Sequence, residues 1–377
     1  PPLKWSLLAW IAPFPWLLSC HQPRFKQRGS YAALYGAGLL FWLLAIHWLR
    51  LPHPATSIGW IALSAYLASY LPAFVWLSRV GVHQVRLPLW IAAPAVWTGL
   101  EFARAHLLTG FLFAALGHTQ VGWPQLIQIS DLTGGYGVSF LVMLVAACAL
   151  QIVIDKRRWV PLGIAVTGIC ATGWYGHQRL VEFDSYTGNR GPRVALIQGN
   201  SLATWKQESD KQQKIMAEYV TLSQQAIRDA ATAGDGRPVE LVIWPETMFR
   251  TTMISADEGV ELPSDLGATV DQWKSYAPQE LAALAQHLDT PIFVGIDRRH
   301  LLADNTVTGA ADPGDPGIEM PNFHAFNSSV LVDRDGQILG TYDKVHRVMF
   351  GEYVPLVDWI PFFDRIAALT GGIERGA

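Results

Sequence analysis

The first half of the sequence alternates long apolar runs with short polar loops. The runs cover residues 5–20, 31–49, 57–78, 87–109, 134–154 and 159–176, and 50% of the whole chain is hydrophobic. A helix of roughly 20 apolar residues crosses the ~30 Å hydrocarbon core of a bilayer with all its backbone hydrogen bonds satisfied internally. The runs therefore predict six membrane-spanning helices, in which Pro94 produces a kink rather than an end.

The basic residues of this half are concentrated in alternate loops. Loops 21–30, 79–86 and 155–158 together carry eight Lys or Arg residues, whereas loops 50–56 and 110–124 together carry one. Short cytoplasmic loops retain Lys and Arg. We therefore expect the three basic loops to lie in the cytoplasm and everything after the sixth helix to lie outside it.

From about residue 178 the pattern changes to that of a soluble α/β domain. Strand-like runs at 193–199, 239–245, 292–296, 327–332 and 337–342 alternate with helical patterns at 207–233 and 280–288. The Asp-Gly pair within 333–336 favours a hairpin turn. Residues 250–275 and 300–322 are rich in turn-forming residues and are predicted to be long loops. The sequence thus predicts a transmembrane domain at 1–177 and an α/β domain at 178–377.

Charge and cysteine usage exclude some classes of function. The 28 basic and 31 acidic residues give no positive excess, so nucleic acid is not an expected partner. The three cysteines, Cys20, Cys148 and Cys170, lie in or at the end of apolar runs, which excludes a disulfide framework and a Cys-rich metal site. No cluster of His or Asp residues has the spacing of metal ligands, so neither a metal nor a cofactor is expected.

Two charged residues follow predicted strands of the α/β domain. Glu246 comes directly after the apolar run that ends in Trp244 and Pro245, and Lys344 follows the strand at 337–342. The ends of strands are where α/β folds commonly build sites. Taken singly, each residue has a plainer interpretation: Glu246 as a helix cap or solvent contact, and Lys344 as an ordinary exposed lysine.

Together, these residues belong to a more specific pattern. Trp-Pro-Glu ends at Glu246, Tyr-Asp-Lys-Val-His contains Lys344, and Phe-Gly-Glu-Tyr-Val-Pro contains Glu352. This pattern resembles the carbon–nitrogen hydrolase (nitrilase) superfamily. With the preceding apolar helices it is similar to the apolipoprotein N-acyltransferase family, to which residues 92–97, 101–104, 108–110 and 196–200 also show resemblance. The resemblance implies a polytopic α-helical membrane domain followed by a nitrilase-like α/β (αββα) sandwich, incomplete at its C-terminus.

The resemblance also implies roles for individual residues. Glu246 would be the general base, Lys344 the stabiliser of a tetrahedral oxyanion, and Glu352 a further essential carboxylate. Trp205 matches the family's functional tryptophan. Phe350 and Tyr353 are assigned to substrate binding, within an aromatic segment at 348–368 that either dips toward the bilayer or packs in the sandwich core.

The sequence departs from the family's pattern at the nucleophile. It is a cysteine in a Cys-Tyr-Glu motif downstream of Gly-Glu-x-Val-Pro, and this sequence ends before such a motif. Cys20, Cys148 and Cys170 lie far from the strands of the other triad members. The chain also begins without methionine, so we expect it to be a catalytically inactive fragment of a longer product. A pseudoenzyme is the alternative.

The function implied is transfer of a fatty acyl chain from a phospholipid, through a cysteine thioester, to the N-terminal amine of a diacylated apolipoprotein. The setting would be the bacterial inner membrane, with several membrane passes, a periplasmic catalytic domain and a monomeric protein. A membrane-anchored amidase and a non-catalytic lipid-binding protein are the alternatives. Glu101 and Arg104, three residues apart in the fourth apolar run, are either a structural ion pair or a contact for a phospholipid headgroup.

Overall fold

The chain folds into two compact units, Pro1–Arg190 and Gly191–Ala377. The computed structural model describes residues 5–23, 27–51, 56–154, 159–186, 191–200, 209–262, 267–303, 321–348, 352 and 373–376. The predicted domain boundary at 177/178 falls inside the last helix of the first unit, which continues to Tyr186. Charged and polar residues after residue 177 extend that helix beyond the apolar run that predicted it.

The described part of the first unit is helical. All six predicted apolar runs are confirmed as mainly helical. The helices are α1 Phe14–His21, α2 Gln27–Ala45, α3 Thr56–Ala68, α4 Tyr70–Arg79, α5 Leu89–His106, α6 Pro124–Ile127, α7 Ser130–Thr133, α8 Gly135–Ile154 and α9 Trp159–Tyr186. By length and composition, two helical stretches of the described residues could cross a membrane: Thr56–Gln84, which includes α3 and α4, and Gly135–Ile154.

The core of the first unit is formed mainly by α1, α4, α5 and α8. Ala93 of α5 and Ala146 and Ala147 of α8 are fully buried in one cluster. Small side chains of this kind let two helices approach closely. Helix α5 continues through Pro94, as predicted.

The second unit is built on a mixed sheet. Its described strands are β1 Val194–Leu196, β2 Leu241–Ile243, β3 Phe249–Ala256, β4 Ile292–Leu301, β5 Phe323–Val332 and β6 Ile338–Asp343. They lie in the order β1-β2-β4-β5-β6, and β3 pairs with β4. Strands β1, β2, β3 and β4 are parallel where they pair, whereas the β4–β5 and β5–β6 pairs are antiparallel.

Among the described residues, two helices cover this sheet: α10 Ser209–Thr232 and α11 Val270–Leu288. Apolar residues of both helices share a buried cluster with the strands, including Tyr219 of α10 and Leu281 of α11. Trp244 lies in this cluster, and its indole N–H donates to the buried hydroxyl of Ser223 at 2.9 Å. The segment before Glu246 is therefore anchored in the core.

One predicted loop is wrong. The segment 250–275 contains most of β3 and the beginning of α11, which starts with a capping box between Thr269 and Gln272. Strand β3 was missed because the consecutive polar residues Arg250, Thr251 and Thr252 break the alternation of apolar and polar residues that marks a strand. Most of the other predicted loop, 300–322, lies outside the described residues, although β4 extends to Leu301.

A glycine of β4 fixes how β2 leads into β3. A Cβ on Gly295 would lie 2.5 Å from the carbonyl oxygen of Pro245 and 2.6 Å from both Glu246 Cα and Thr247 N. Thr247 has a positive φ of 53°, a conformation that is uncommon outside glycine. The turn that presents Glu246 therefore rests directly on the backbone of β4, and only a residue without a side chain fits beneath it.

We predict that Gly295→Ala destabilises the protein by about 1–3 kcal/mol, because the added methyl group overlaps backbone atoms that have no rotamer by which to move away. The measurement is the thermal unfolding of the purified protein. Gly340→Ala is the matched control, since a Cβ at Gly340 of β6 meets nothing within 4 Å. Equal unfolding midpoints for the two variants would contradict the close approach.

Candidate functional site

Glu246 lies at the carboxyl end of β2. Ala195 and Val242 pair in the parallel ladder, and Val242 pairs in turn with Ile292 of β4. The chain leaves β4 at Pro245 and rejoins it at Phe249, which pairs with Ile296. The intervening turn projects the carboxylate of Glu246, whose side chain is 59% exposed. The structure thus confirms the predicted position of Glu246 at the end of a strand.

Lys344 follows the last residue of β6. Its backbone N–H donates to the carbonyl of Asn327 at 2.8 Å, which extends the ladder between β5 and β6 by one bond. Its ammonium donates to Glu246 Oε1 and to Glu352 Oε1, both at 2.8 Å. Lys344 therefore joins two carboxylates, those of Glu246 and Glu352, that are 106 positions apart in the sequence.

Glu352 is the buried member of the group, with only 8% of its surface exposed. Its Oε2 accepts the backbone N–H of Val348 at 2.9 Å, and its own N–H donates to the carbonyl of Val348 at 2.8 Å. Its carbonyl accepts the N–H of Ile373 at 3.0 Å. A carboxylate this deeply buried requires such donors and a cation, since an unpaired buried charge is strongly unfavourable.

Asn327 is a fourth member that the sequence analysis did not identify. It is buried in β5, and its amide donates to Glu246 Oε1 and, at 3.2 Å, to Glu352 Oε1. The signal for it in the sequence is weak: Asn-Ser-Ser interrupts an otherwise apolar strand. Only the strand pairing shows that its side chain lies beside the two glutamates.

The contacts determine the charge states of the site. Partial burial of Glu246 opposes its ionisation, but hydrogen bonds from Lys344 and Asn327 and the positive charge of Lys344 outweigh it, so the pKa of Glu246 is lowered. Burial likewise works against the charged form of Lys344, yet its bonds to Glu246 and Glu352 raise the pKa of the ammonium. At neutral pH the site therefore holds an ionised Glu246 beside a protonated Lys344.

The remaining predicted residues stand apart from this cluster or outside the described part of the chain. Trp205, Phe350 and Tyr353 lie outside the described residues, as does most of the aromatic segment 348–368. All three cysteines belong to the first unit.

Glu101 and Arg104 also belong to the first unit, where both are buried. No ion pair joins them in the described structure. Glu101 Oε1 instead accepts the indole N–H of Trp97 and the N–H of Leu116, while the guanidinium of Arg104 lies 5.2 Å from the ring centroid of Trp42. The two charged groups therefore interact electrostatically without a direct ion-pair contact, and a headgroup contact stays a prediction.

The arrangement can support nucleophilic acyl chemistry. An ionised carboxylate can accept a proton from an attacking group. An ammonium held within hydrogen-bonding distance of that carboxylate can stabilise negative charge that develops on a carbonyl oxygen. The same two functions would serve hydrolysis of an amide or transfer of an acyl group, so the geometry defines a reaction class rather than a substrate.

We predict that Lys344→Met destabilises the protein by on the order of 3 kcal/mol, because it leaves the buried carboxylate of Glu352 without its cation. Thermal unfolding of the purified protein is the measurement. Lys214→Met, at an exposed position of α10, is the control and should unfold as the unmodified protein does.

The double variant Lys344→Met/Glu352→Gln should recover part of the loss, since it also removes the uncompensated charge. If Lys344→Met were as stable as Lys214→Met, or if the double variant were no more stable than Lys344→Met alone, the buried ion pair would not be what holds this site together.

Comparison with known proteins divides the chain at nearly the same place as the fold does. Residues 1–148 match the apolipoprotein N-acyltransferase N-terminal domain, and residues 193–361 match the carbon-nitrogen hydrolase family. A solved amidase from Nesterenkonia sp. AN1 aligns with 50% of this chain and 50% of its own at 15% identity, with a TM-score of 0.27.

Curated relatives match both units together. A protein named apolipoprotein N-acyltransferase from Rhodopirellula baltica is 32% identical over 91% of this chain and 63% of its own length. Another of that name from Geobacter metallireducens is 32% identical over 99% of this chain and 65% of its own length. The chain thus spans somewhat less than two thirds of these relatives. Residues 1–148 thus match one domain family and residues 193–361 the other, and nearly the whole chain is similar to proteins named apolipoprotein N-acyltransferase.

Proposed function

We propose that this protein is an apolipoprotein N-acyltransferase, which moves a fatty acyl chain from a phospholipid to the N-terminal amine of a diacylated apolipoprotein. The observation that carries the proposal is the ammonium of Lys344 held at 2.8 Å from both Glu246 and Glu352. This geometry supplies a general base and an oxyanion stabiliser side by side, and the family supplies the identity of the two lipid substrates.

In the first half-reaction a cysteine thiol attacks the ester carbonyl of the phospholipid. Glu246 takes the thiol proton as the carbon–sulfur bond forms, and Lys344 stabilises the tetrahedral oxyanion. The carbon–oxygen bond then breaks, and the departing alkoxide takes the proton back from Glu246. A lysophospholipid leaves, and the acyl chain remains as a thioester.

In the second half-reaction the amine of the apolipoprotein attacks the thioester. Glu246 accepts one proton from the amine as the carbon–nitrogen bond forms, and the departing thiolate recovers that proton when the carbon–sulfur bond breaks. Because Lys344 lowers the pKa of Glu246, the carboxylate is a weak base toward a free thiol. Proton transfer therefore accompanies the attack rather than preceding it.

The proposal requires a thiol from outside residues 191–377, since that stretch contains no cysteine. Each activity measurement is accordingly made with the complete gene product. We keep Trp205, Phe350 and Tyr353 as proposed substrate contacts, because aromatic side chains suit the boundary between headgroups and acyl chains.

The membrane setting is part of the proposal. Six apolar helical runs with basic residues in alternate loops support several passes through the bacterial inner membrane, with the second unit on the periplasmic side. Large apolar side chains are exposed on helices of the first unit, among them Leu40 and Leu44 of α2 and Trp174 of α9. Such surfaces are unfavourable in water and suit contact with lipid.

We predict that membranes containing the complete gene product transfer label from acyl-labelled phosphatidylethanolamine to the N-terminal amine of a diacylated lipopeptide. Glu246→Gln and Lys344→Met should each lower the rate by roughly 10²–10⁴-fold, because each removes one of the two charged groups used in the transition state.

Glu218→Gln and Lys214→Met, both at exposed positions of α10, are the matched controls and should keep the full rate. A folded complete protein that transfers no label to the peptide would refute the proposal. Release of free fatty acid or ammonia in place of transfer would favour an amidase or other hydrolase.

We also predict a direction for the pH dependence. Activity requires ionised Glu246 and is lost as the pH falls through the pKa of that group, which is lowered in the folded protein. Asn327→Leu removes one of the hydrogen bonds that lower this pKa. The acid limb of kcat/KM should therefore move to higher pH in the variant.

The raised pKa of Lys344 keeps the ammonium protonated, so the alkaline limb should not move to lower pH in the same variant. Thr341→Val, at an exposed position of the neighbouring strand, should leave both limbs where they are. An acid limb that stays in place, or moves down, in Asn327→Leu would contradict the assignment of that limb to Glu246.

A further inference from the structure

Arg298 and Asp343 form a second charged group in the sheet. The guanidinium of Arg298 forms a bidentate ion pair with the carboxylate of Asp343. Its Nε donates to Oδ1 at 3.0 Å, and its Nη2 donates to Oδ2 at 2.5 Å. The hydroxyl of Ser328 also donates to Asp343 Oδ1, at 2.6 Å. Both charged side chains are largely buried, with 18% and 22% of their surface exposed.

The guanidinium itself is held by two further contacts. It lies 4.3 Å from the ring centroid of Phe326, and its Nη1 donates to the hydroxyl of Ser255 at 3.0 Å. Arg298 thus connects β3, β4, β5 and the end of β6. A planar guanidinium bound at both ends and stacked on a ring has little freedom to move, so it fixes the position of Asp343.

The register of the strands places this ion pair on the opposite face of the sheet from the candidate site. Arg298 pairs with Phe326, and Ser328 pairs with Asp343. Successive side chains in a strand point to opposite faces. Asn327 lies between Phe326 and Ser328, and its side chain reaches Glu246. Lys344 comes directly after Asp343 and reaches the same carboxylate.

The hairpin turn does not set this register by itself. Val332 pairs with Ile338, but the next residue back, Leu331, pairs with Gly340, so the ladder is irregular at Leu339. A slip of one residue in a strand transfers every side chain to the other face. The end of β6 therefore needs a contact of its own to keep Asp343 on one face and Lys344 on the other.

We propose that Arg298 is a positioning residue of the active site. Its bidentate ion pair with Asp343 fixes the register at the end of β6 and thereby directs Lys344 to Glu246 and Glu352. Arg298 touches neither glutamate in this arrangement and acts through the backbone between residues 343 and 344. The inference rests on the proposed function only where its effect is measured as activity.

The test compares Arg298→Met with Arg299→Met in the complete gene product. Arg299 is the neighbouring residue of β4 and likewise stacks on a ring, that of Phe323 at 4.7 Å. Arg298→Met should lower kcat for acyl transfer by about tenfold with the KM for phospholipid nearly unchanged, because Lys344 is displaced without loss of substrate contacts. Arg299→Met should change neither constant.

A second measurement does not depend on activity. Acetylation of Lys344 by an amine-reactive reagent, followed by peptide mass spectrometry, reports how well the ammonium is held by its carboxylates. The rate should rise several-fold in Arg298→Met, because an ammonium that has lost its carboxylate partners deprotonates more easily, and it should stay unchanged in Arg299→Met. Arg298→Lys keeps the positive charge but loses the bidentate geometry, so it should give an intermediate acetylation rate.

The outcomes separate the two proposals. If the unmodified complete protein transfers no acyl group, the proposed function fails, and the acetylation rates still decide the role of Arg298. Unchanged Lys344 acetylation in Arg298→Met would overturn the positioning role, whatever the activity. Equal losses in Arg298→Met and Arg299→Met would also overturn it, since they would show a general requirement for basic residues in β4.

Discussion

The second unit depends on a lysine shared between two carboxylates. Glu352 is almost completely buried, and a buried carboxylate is tolerated only with a cation and several hydrogen-bond donors. Lys344 supplies the cation, Asn327 and the N–H of Val348 supply the donors, and the same ammonium reaches out to the more exposed Glu246. The contact that neutralises a buried charge is thus also the contact that joins the two residues proposed as base and oxyanion stabiliser.

Both backbone and side-chain features of the sheet place these groups. Gly295 lets the turn carrying Glu246 rest directly on β4, and Trp244 anchors the start of that turn in the core. On the other face of the sheet, Arg298 holds Asp343 at the end of β6. Elements from four separate parts of the chain therefore have to fold correctly before Lys344 and Glu246 can meet.

Residues that end apolar strands could be predicted from the sequence. Glu246 and Lys344 each follow such a run, and Glu352 lies in a motif shared with the family, so pattern and resemblance located all three. Asn327, Gly295 and Arg298 could not be found this way. The roles of Asn327 and Arg298 depend on the register between strands, and that of Gly295 depends on the turn backbone packed against its Cα. Strand β3 was missed for a related reason: its pairing with β4, rather than an alternating pattern, is what makes it a strand.

The most direct test of the central claim is the amount of lysophospholipid released in a single rapid phase when the complete protein meets phospholipid without an acceptor. The account predicts about one equivalent per protein molecule, because the acyl chain stays on the enzyme until an amine removes it. The Glu246→Gln and Lys344→Met variants should show no such phase. A rapid phase of equal size in either variant would contradict the claim that the shared lysine and its carboxylate drive acyl transfer.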